Sequence, residues 1–493
     1  MTSIQFSSPE YCEDGSFSVS DFIFEGEETS GWNIYRNGSL QLQLGAGYVP
    51  VQSLACGVCS TDLARKFLPY PLPQITGHEV VGLYNGKYVT VEINASHFAR
   101  GIKSSCSYCN NGMDTQCPDR ITLGIDRLPG GFSPWFLAPV NSLIEVPKGV
   151  SLNAASLTEP FAAALHAVEA SGAKDGEIAV LGPRRLGMLA IAALRAYREA
   201  NSLNYKIHAL VRHKELYDLA LRMGADECLD VRDGIEQLRK RYDIVFDTTG
   251  KPEGLKSALE FAKRAVHLKS TNGQAVMGMD HLTDMVVDEI SLLPFRESSF
   301  DFTWASEKEK RKNLNIYVDE GVPDKKFIEI QKSFPDRNFY RLSFDDAKNK
   351  ILSGIKEPKE NSSADYFPPG SPFPRFDLAV VTSLEAADRI IRPEPGKEYS
   401  ILRPRGGIII ARDDNYVSEL DEAVCEKGIE IHTSRCGSFQ RALDLMKSDA
   451  SLVSSLEQMV TQKYKLSDIA DAFSMAADSS KSVKVLVETA DSE

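Results

Sequence analysis

The sequence predicts an α/β protein with two textures: a small barrel or sandwich-like β domain, then a doubly wound parallel sheet. Three observations carry that expectation. The first ~150 residues are dense in short β-prone runs broken by Gly, Pro and Asn. From Ser151 onward, strand-like runs alternate with helix-like ones, the pattern of a parallel sheet covered by helices. At roughly 100 to 200 residues per domain, a chain of 493 residues has room for about two to four domains.

Taken in order, the strands of the first texture are Leu40 to Leu44, Val80 to Leu83, Tyr88 to Ile93 and Phe136 to Val140. The second opens with a helix over Leu157 to Ala170, a strand at Ile178 to Leu181, a helix over Leu186 to Ala200 and a strand at Ile207 to Val211. Further strands are expected at Asp243 to Phe246 and Ala265 to Leu268. Beyond Phe295 come a charged segment (Glu307 to Lys312), a strand at Asn315 to Val318 and a polar, Pro-rich linker from Lys356 to Pro372. Strands at Asp377 to Val381 and Gly407 to Ala411 then resume the α/β texture. The segments Tyr242 to Thr249 and Phe376 to Ser383 share a pattern, each followed by a helix-like run and an apolar strand. Partial internal duplication is one reading; the compositional likeness of all parallel strands is the other. The expected division is 1–150, 151–295, an α/β insertion at 296–430 that extends the sheet or forms its own lobe, and a return at 431–493.

Composition narrows the function. Lys plus Arg number 56 against 69 Asp plus Glu, a net charge of −13, which disfavours nonspecific attraction to nucleic acid or anionic membrane. No uninterrupted apolar run reaches the ~18 residues of a membrane span. The opening Met1-Thr2-Ser3-Ile4-Gln5 has no charged-then-apolar leader pattern, so a cytoplasmic location is expected. Nine cysteines, three of them crowded into residues 106–117, favour metal binding over a disulfide framework.

The chemistry-bearing motifs are Gly57-Val58-Cys59-Ser60-Thr61-Asp62, then Gly77-His78-Glu79, then Thr158-Glu159-Pro160 at the start of a helix. Cys and His are the usual zinc ligands, and a catalytic zinc keeps one of four positions open. Alone, Cys59 would read as a small buried hydrophobe and His78 as a hydrogen-bonded core residue. Thr158 suits a helix cap and Pro160 its first turn. A Gly-rich turn, Gly182-Pro183-Arg184-Arg185-Leu186-Gly187, follows the strand that ends at Leu181. Its middle position, where a dinucleotide fingerprint places Gly, is Arg184. Arg184 would crowd the phosphates unless the loop moves, or its guanidinium takes over from the backbone. The next strand ends in Arg212-His213-Lys214, where an NAD site would usually carry an acidic residue. Three potentially basic side chains suit a 2′-phosphate and favour NADP over NAD; a solvated loop is the bland alternative.

Together these motifs resemble the zinc-dependent medium-chain dehydrogenase/reductase family, and within it the threonine-, sorbitol- and glucose-dehydrogenase-like branch. The resemblance covers about residues 30–290 and 430–493. It implies a GroES-like β-barrel catalytic domain plus a Rossmann doubly wound parallel sheet, with the insertion as a departure. It further implies Cys59, His78 and Glu159 as ligands of a catalytic zinc, Glu79 as the acidic residue beside the metal, and Thr61 as the hydroxyl that passes the alcohol proton on. Gly182, Arg184, Arg185, Gly187, Arg212, His213, Lys214, Thr248, Lys269 and Lys484 become the candidate cofactor contacts; Lys269 and Lys484 read equally well as surface structure. The family's structural zinc loop has four Cys, of which Cys106, Cys109 and Cys117 match the last three. The first falls at Lys103, which cannot ligate as a cation; His97 is the candidate replacement, and three leftover thiols are the alternative. The implied activity is hydride transfer between NADP(H) and an alcohol or carbonyl of a polyol, sugar or related small molecule, in a homodimer or homotetramer. The competing reading is a noncatalytic zinc- or nucleotide-binding protein on the same scaffold.

Overall fold

The computed structural model describes residues 2–490 except 233–234, 271–273, 296–313, 336, 356–374, 392–399, 413–416 and 479–480. The charged segment Glu307 to Lys312 and the linker from Lys356 to Pro372 lie outside the described residues. The chain forms two compact units, residues 1–164 with 436–493 and residues 165–435.

The first unit is mostly antiparallel. A four-stranded meander, Thr2–Tyr11, Phe17–Glu27, Gly31–Arg36 and Ser39–Leu44, precedes the main sheet. Only the last of these strands is legible from periodicity. The others alternate weakly, although Phe22, Phe24 and Ile34 are fully buried. The seven-stranded main sheet runs in the order Leu143–Glu145, Lys87–Val91, Glu79–Tyr84, Tyr48–Gly57, Lys484–Glu488 and Val460–Lys465, with Trp135–Pro139 also pairing to Tyr48–Gly57. Two hairpins turn on Asn-Gly: Asn37-Gly38 between Arg36 and Ser39, and Asn85-Gly86 between Tyr84 and Lys87. All four turn residues have positive φ, the backbone of a type I′ turn whose twist matches the strands it joins. Tyr11, Phe17, Phe132 and Phe473 meet edge-on or stacked, tying the late helix Ile469–Ala477 to this core.

The second unit holds a single eleven-stranded sheet. Its strands in chain order are β1 (Asp175–Leu181), β2 (Asn204–Val211), β3 (Glu227–Asp230), β4 (Tyr242–Asp247), β5 (Ala262–Leu268), β6 (Ser291–Pro294), β7 (Asn315–Asp319), β8 (Asn338–Leu342), β9 (Phe376–Val381), β10 (Leu402–Ile410) and β11 (Glu430–Thr433). The sheet order is β3-β2-β1-β4-β5-β11-β6-β10-β9-β7-β8. All neighbours are parallel except β6 and β11. Continuous apolar runs such as Ile178-Ala179-Val180 and Leu378-Ala379-Val380-Val381 are fully buried, as expected of parallel strands covered on both faces. One apolar core reaches from Ala179 through Val266 and Ile431 to Ile408 and Phe376, so the residues after 314 belong to the same sheet and core.

Candidate active site and metal centres

In the first unit, Cys59 stands at the N-terminus of the one-turn helix Ser60–Leu63, directly after the strand Tyr48–Gly57. Asp62 in that helix is buried and accepts the Cys59 N–H at 2.9 Å and the Gly77 N–H at 3.2 Å. Its Oδ1 also lies 3.5 Å from His78 Nδ1. One carboxylate therefore fixes both ligand-bearing segments and leaves the far imidazole nitrogen for a metal, the usual carboxylate–histidine support. The sequence reading quoted Asp62 within its motif but gave it no role. The signal for it is chemical, since a metal-binding His generally donates its other ring N–H to an acceptor.

The ligand atoms of Cys59, His78 and Glu79 lie within 4.8 Å of one another. Burial pushes the His78 imidazole toward neutrality, yet Asp62 and Cys59 outweigh burial and hold its pKa well above the ordinary value. The cluster thus favours positive charge at its centre, which fits a divalent cation bound by thiolate, imidazole and carboxylate. Thr61 is half-buried in the first turn of the same helix, two residues from Cys59.

Three further candidates have neighbours that their spacing does not announce. Glu159 is outside the set of ligand atoms within 4.8 Å of one another, which contains Glu79 instead, and it lines a small cavity with Glu92, Asn94, Asp114, Thr115 and Cys436. Its helix starts at Thr158, whose hydroxyl bonds back to Ala155 O at 2.7 Å rather than capping forward. Lys484 is buried in the first unit and paired with Glu79, the cation that compensates a carboxylate taken out of water. Lys269 is buried in the second unit and donates to Ser434 O at 2.8 Å, Ser434 Oγ at 3.1 Å and Arg435 O at 2.9 Å. Through these contacts Lys269 holds the 434–435 segment.

The Gly-rich turn forms as read. Gly182 has φ +76°, and a Cβ there would meet Thr249 Cγ2 at 2.6 Å. Thr248 Oγ1 donates to Leu181 O at 2.9 Å and Gly182 O at 3.1 Å, and a Cβ on Gly187 would meet that hydroxyl at 2.6 Å. Thr248 thus shapes the turn through its carbonyls. Arg184 precedes the helix Arg185–Ala200 and extends sideways, its guanidinium 3.0 Å from His213 Nε2 at the end of β2. Arg212, His213 and Lys214 are exposed, and Arg185 is half-buried in the first helical turn. The structure therefore gathers the fingerprint's odd Arg and the basic end of β2 at one place.

The second cluster in the first unit comprises His97, Cys106, Cys109 and Cys117, with ligand atoms within 4.8 Å of one another. Cys106 Sγ lies 3.9 Å from Cys117 Sγ, and His97 Nδ1 lies 3.3 Å from Cys117 Sγ and 3.8 Å from Cys109 Sγ. A tetrahedral zinc with the usual bond lengths needs edges of about 3.8 Å between sulfurs and about 3.6 Å between nitrogen and sulfur. The donor set fits. Asp119 stands 3.6 Å from His97 Nε2 and orients the ring from behind, a partner the sequence reading did not name. Burial, with a smaller push from the neighbouring thiols, moves the Cys117 thiol up to about 12. Lys103 is exposed and outside the cluster.

Comparison with known proteins places these features. The alcohol dehydrogenase GroES-like domain family matches residues 45–148. A sorbitol dehydrogenase from Halalkalibacterium halodurans is 27% identical over 247 residues, covering 47% of this chain and 68% of that protein. An L-idonate 5-dehydrogenase (NAD(P)+) from Escherichia coli is 26% identical over 303 residues, covering 56% of this chain and 80% of that protein. A zinc-binding dehydrogenase from Sinorhizobium meliloti, solved with NADP, shares the fold at a TM-score of 0.53 and 16% identity, covering 98% of this chain and 99% of that one. Among the described residues, no helix is long and apolar enough to cross a membrane. Residues 45–148 thus match the alcohol dehydrogenase GroES-like domain family, and the chain as a whole is similar to alcohol dehydrogenase-like oxidoreductases in sequence and to a zinc-binding dehydrogenase in fold.

Proposed function

We propose that this protein is a zinc-dependent oxidoreductase that moves a hydride between NADP(H) and an alcohol or carbonyl of a polyol, sugar or related small molecule. The observation that carries the proposal is the Cys59–His78–Glu79 cluster, held by Asp62 and set beside Thr61. A bound zinc supplies Lewis-acid polarisation of the substrate oxygen. The chain's own residues do the rest. Cys59 and His78 hold the metal, and Asp62 keeps the His78 ring oriented. Glu79, backed by Lys484, would offer the metal a carboxylate. Thr61 carries the alcohol proton away from the site. In the second unit, Gly182 and Gly187 let the turn close, and Thr248 fixes its carbonyls. Arg184, Arg212, His213 and Lys214 receive the 2′-phosphate of NADP, in keeping with the basic strand end and with the NADP seen in a protein of the same fold. The polyol and sugar class follows the related sorbitol and idonate dehydrogenases.

His97, Cys106, Cys109 and Cys117 hold a second, structural zinc in this reading. The test is elemental analysis of the purified chain together with NADPH and NADH titrations, followed by turnover on a polyol and sugar-alcohol panel. Zinc, tighter binding of NADPH than NADH, and NADP-dependent oxidation are the expected results. Zinc without binding of either nucleotide would overturn the proposal and leave a noncatalytic metalloprotein.

A further inference from the structure

The segment that opens at Asn315 repeats the architecture of the one that ends at Pro294. The first half runs β1, helix Arg185–Ala200, β2, helix Tyr217–Met223, then β4, helix Pro252–Phe261, β5, helix Leu282–Val287 and β6. The second runs β7, helix Asp324–Ser333, β8, helix Phe344–Ile355, β9, helix Leu384–Ile391, β10, helix Glu419–Cys425 and β11. Among the described residues, only β3 and its short helix Ile235–Leu238 have no counterpart. The sheet positions repeat as well: β2-β1-β4-β5 from one end and β8-β7-β9-β10 from the other.

Only the final strands break the pattern, and they break it reciprocally. Strand β6 ends the first half but pairs in parallel with β10 of the second, from Ser291↔Gly407 to Pro294↔Ile410. Strand β11 ends the second half but pairs in parallel with β5 of the first, from Ala265↔Glu430 to Leu268↔Thr433. The two exchanged strands touch at Leu292↔Ile431, the antiparallel contact at the middle of the sheet. Two similar halves that trade an equivalent element have the topology of domain swapping, here within one chain. Buried polar contacts also bridge the halves: His281 N–H and Nδ1 meet Asp388 at 2.8 and 2.7 Å, and Glu289 pairs with Arg405.

The second half is not a second nucleotide site. Its turn after β7 reads Asp319-Glu320-Gly321-Val322-Pro323-Asp324, and Arg341 of β8 closes it, donating to Asp324 Oδ1 at 2.6 Å, Val322 O at 2.7 Å and Glu320 O at 3.3 Å. The role left to it is structural. An unpaired strand at the β5 side would offer its edge to another chain, and here that edge is covered from within.

We infer that the described part of residues 315–433 is a second copy of the β/α half, joined to the first by exchange of last strands, and that this copy takes the place of a second chain along the β5 seam. The chain is then a monomer in solution, unlike the dimer or tetramer that the family resemblance implies. The test introduces Leu292→Cys and Ile431→Cys into the full chain, since facing antiparallel residues are close enough for a disulfide. Oxidation is followed by peptide mass mapping, which separates the new bond from the native cysteines. The expected result is a link within one chain and a native mass of one chain, 54.4 kDa, by light scattering. Hydrogen exchange on the unmodified protein guards against a variant that does not fold. Amides of β6 and β11 should stay protected equally at high and low protein concentration. A link between two chains, protection that fades on dilution, or a native mass of two chains would overturn the inference.

Discussion

The two metal clusters of the first unit use the same donor chemistry for opposite ends. Around His97, four donors face one point and their spacings match the edges of a zinc tetrahedron, so every coordination position is filled by protein. Around His78 there are three donors, and the surrounding groups are charges rather than further ligands: Asp62 on the imidazole and Lys484 on Glu79. A filled shell fixes a loop. In the function proposed above, a partly filled shell with oriented, charge-balanced ligands leaves a position for substrate oxygen.

That contrast can be broken from either side. The largest effect is expected from His78→Ala. Loss of Lewis-acid stabilisation worth several kcal/mol should lower turnover by about a thousandfold or more while the His97 cluster keeps its zinc. Elemental analysis and initial rates read both. Cys117→Ala should do the reverse, removing the other zinc and lowering the melting temperature, with an expected stability loss of several kcal/mol. Turnover of the protein that remains folded should stay near wild type, and a chelator titration followed by circular dichroism checks the stability effect.

A buried carboxylate without a cation sharpens the comparison. Asp247 at the end of β4 is buried beside Thr249, and burial raises its pKa to about 6 despite the Thr249 hydrogen bonds. In the unfolded chain it titrates near 3.9, so between about pH 4 and 6 the folded state binds the extra proton and stability falls as pH rises. The two-unit shift corresponds to about 3 kcal/mol, fully lost above pH 6. Urea unfolding from pH 4 to 7 should show this decline, and Asp247→Asn should flatten it. Glu289 differs in having cations: burial opposes its ionisation, but Arg405 and His166 hold its carboxyl well below the usual range.

Smaller effects follow. Asp62→Asn should weaken zinc at the His78 cluster by about 10- to 100-fold, the usual range for an outer-shell acceptor, and leave the His97 cluster unchanged. Competition with a chromogenic chelator measures it. Arg184→Ala should weaken NADPH by about tenfold, on the scale of one charge-assisted contact, with little change for NADH. Fluorescence titration distinguishes the two nucleotides.

Much of this was legible in the chain because the motifs are local. Cys59, His78 and the Cys106–Cys109–Cys117 spacing name their chemistry in a few residues, and the apolar runs of β1, β4 and β9 name a parallel sheet. Spacing does not carry direction in space. Glu159 has the right position on its helix, but its side chain faces the Glu92–Asn94 cavity. Lys484 and Lys269 read as cofactor-facing cations, yet each spends its charge on a buried partner that no spacing announces. Strand exchange was equally invisible. The likeness of Tyr242–Thr249 and Phe376–Ser383 hinted at repetition, but which strand lies beside which is set by long-range pairing.

The most direct test of the central claim is zinc stoichiometry on three proteins side by side: wild type, His78→Ala and Cys117→Ala. Two zinc ions per wild-type chain, one for each of the two clusters, with one lost in each variant and turnover lost only in His78→Ala, is the predicted result. A wild-type chain without zinc, or a His78→Ala variant that retains both ions and full turnover, would contradict the account.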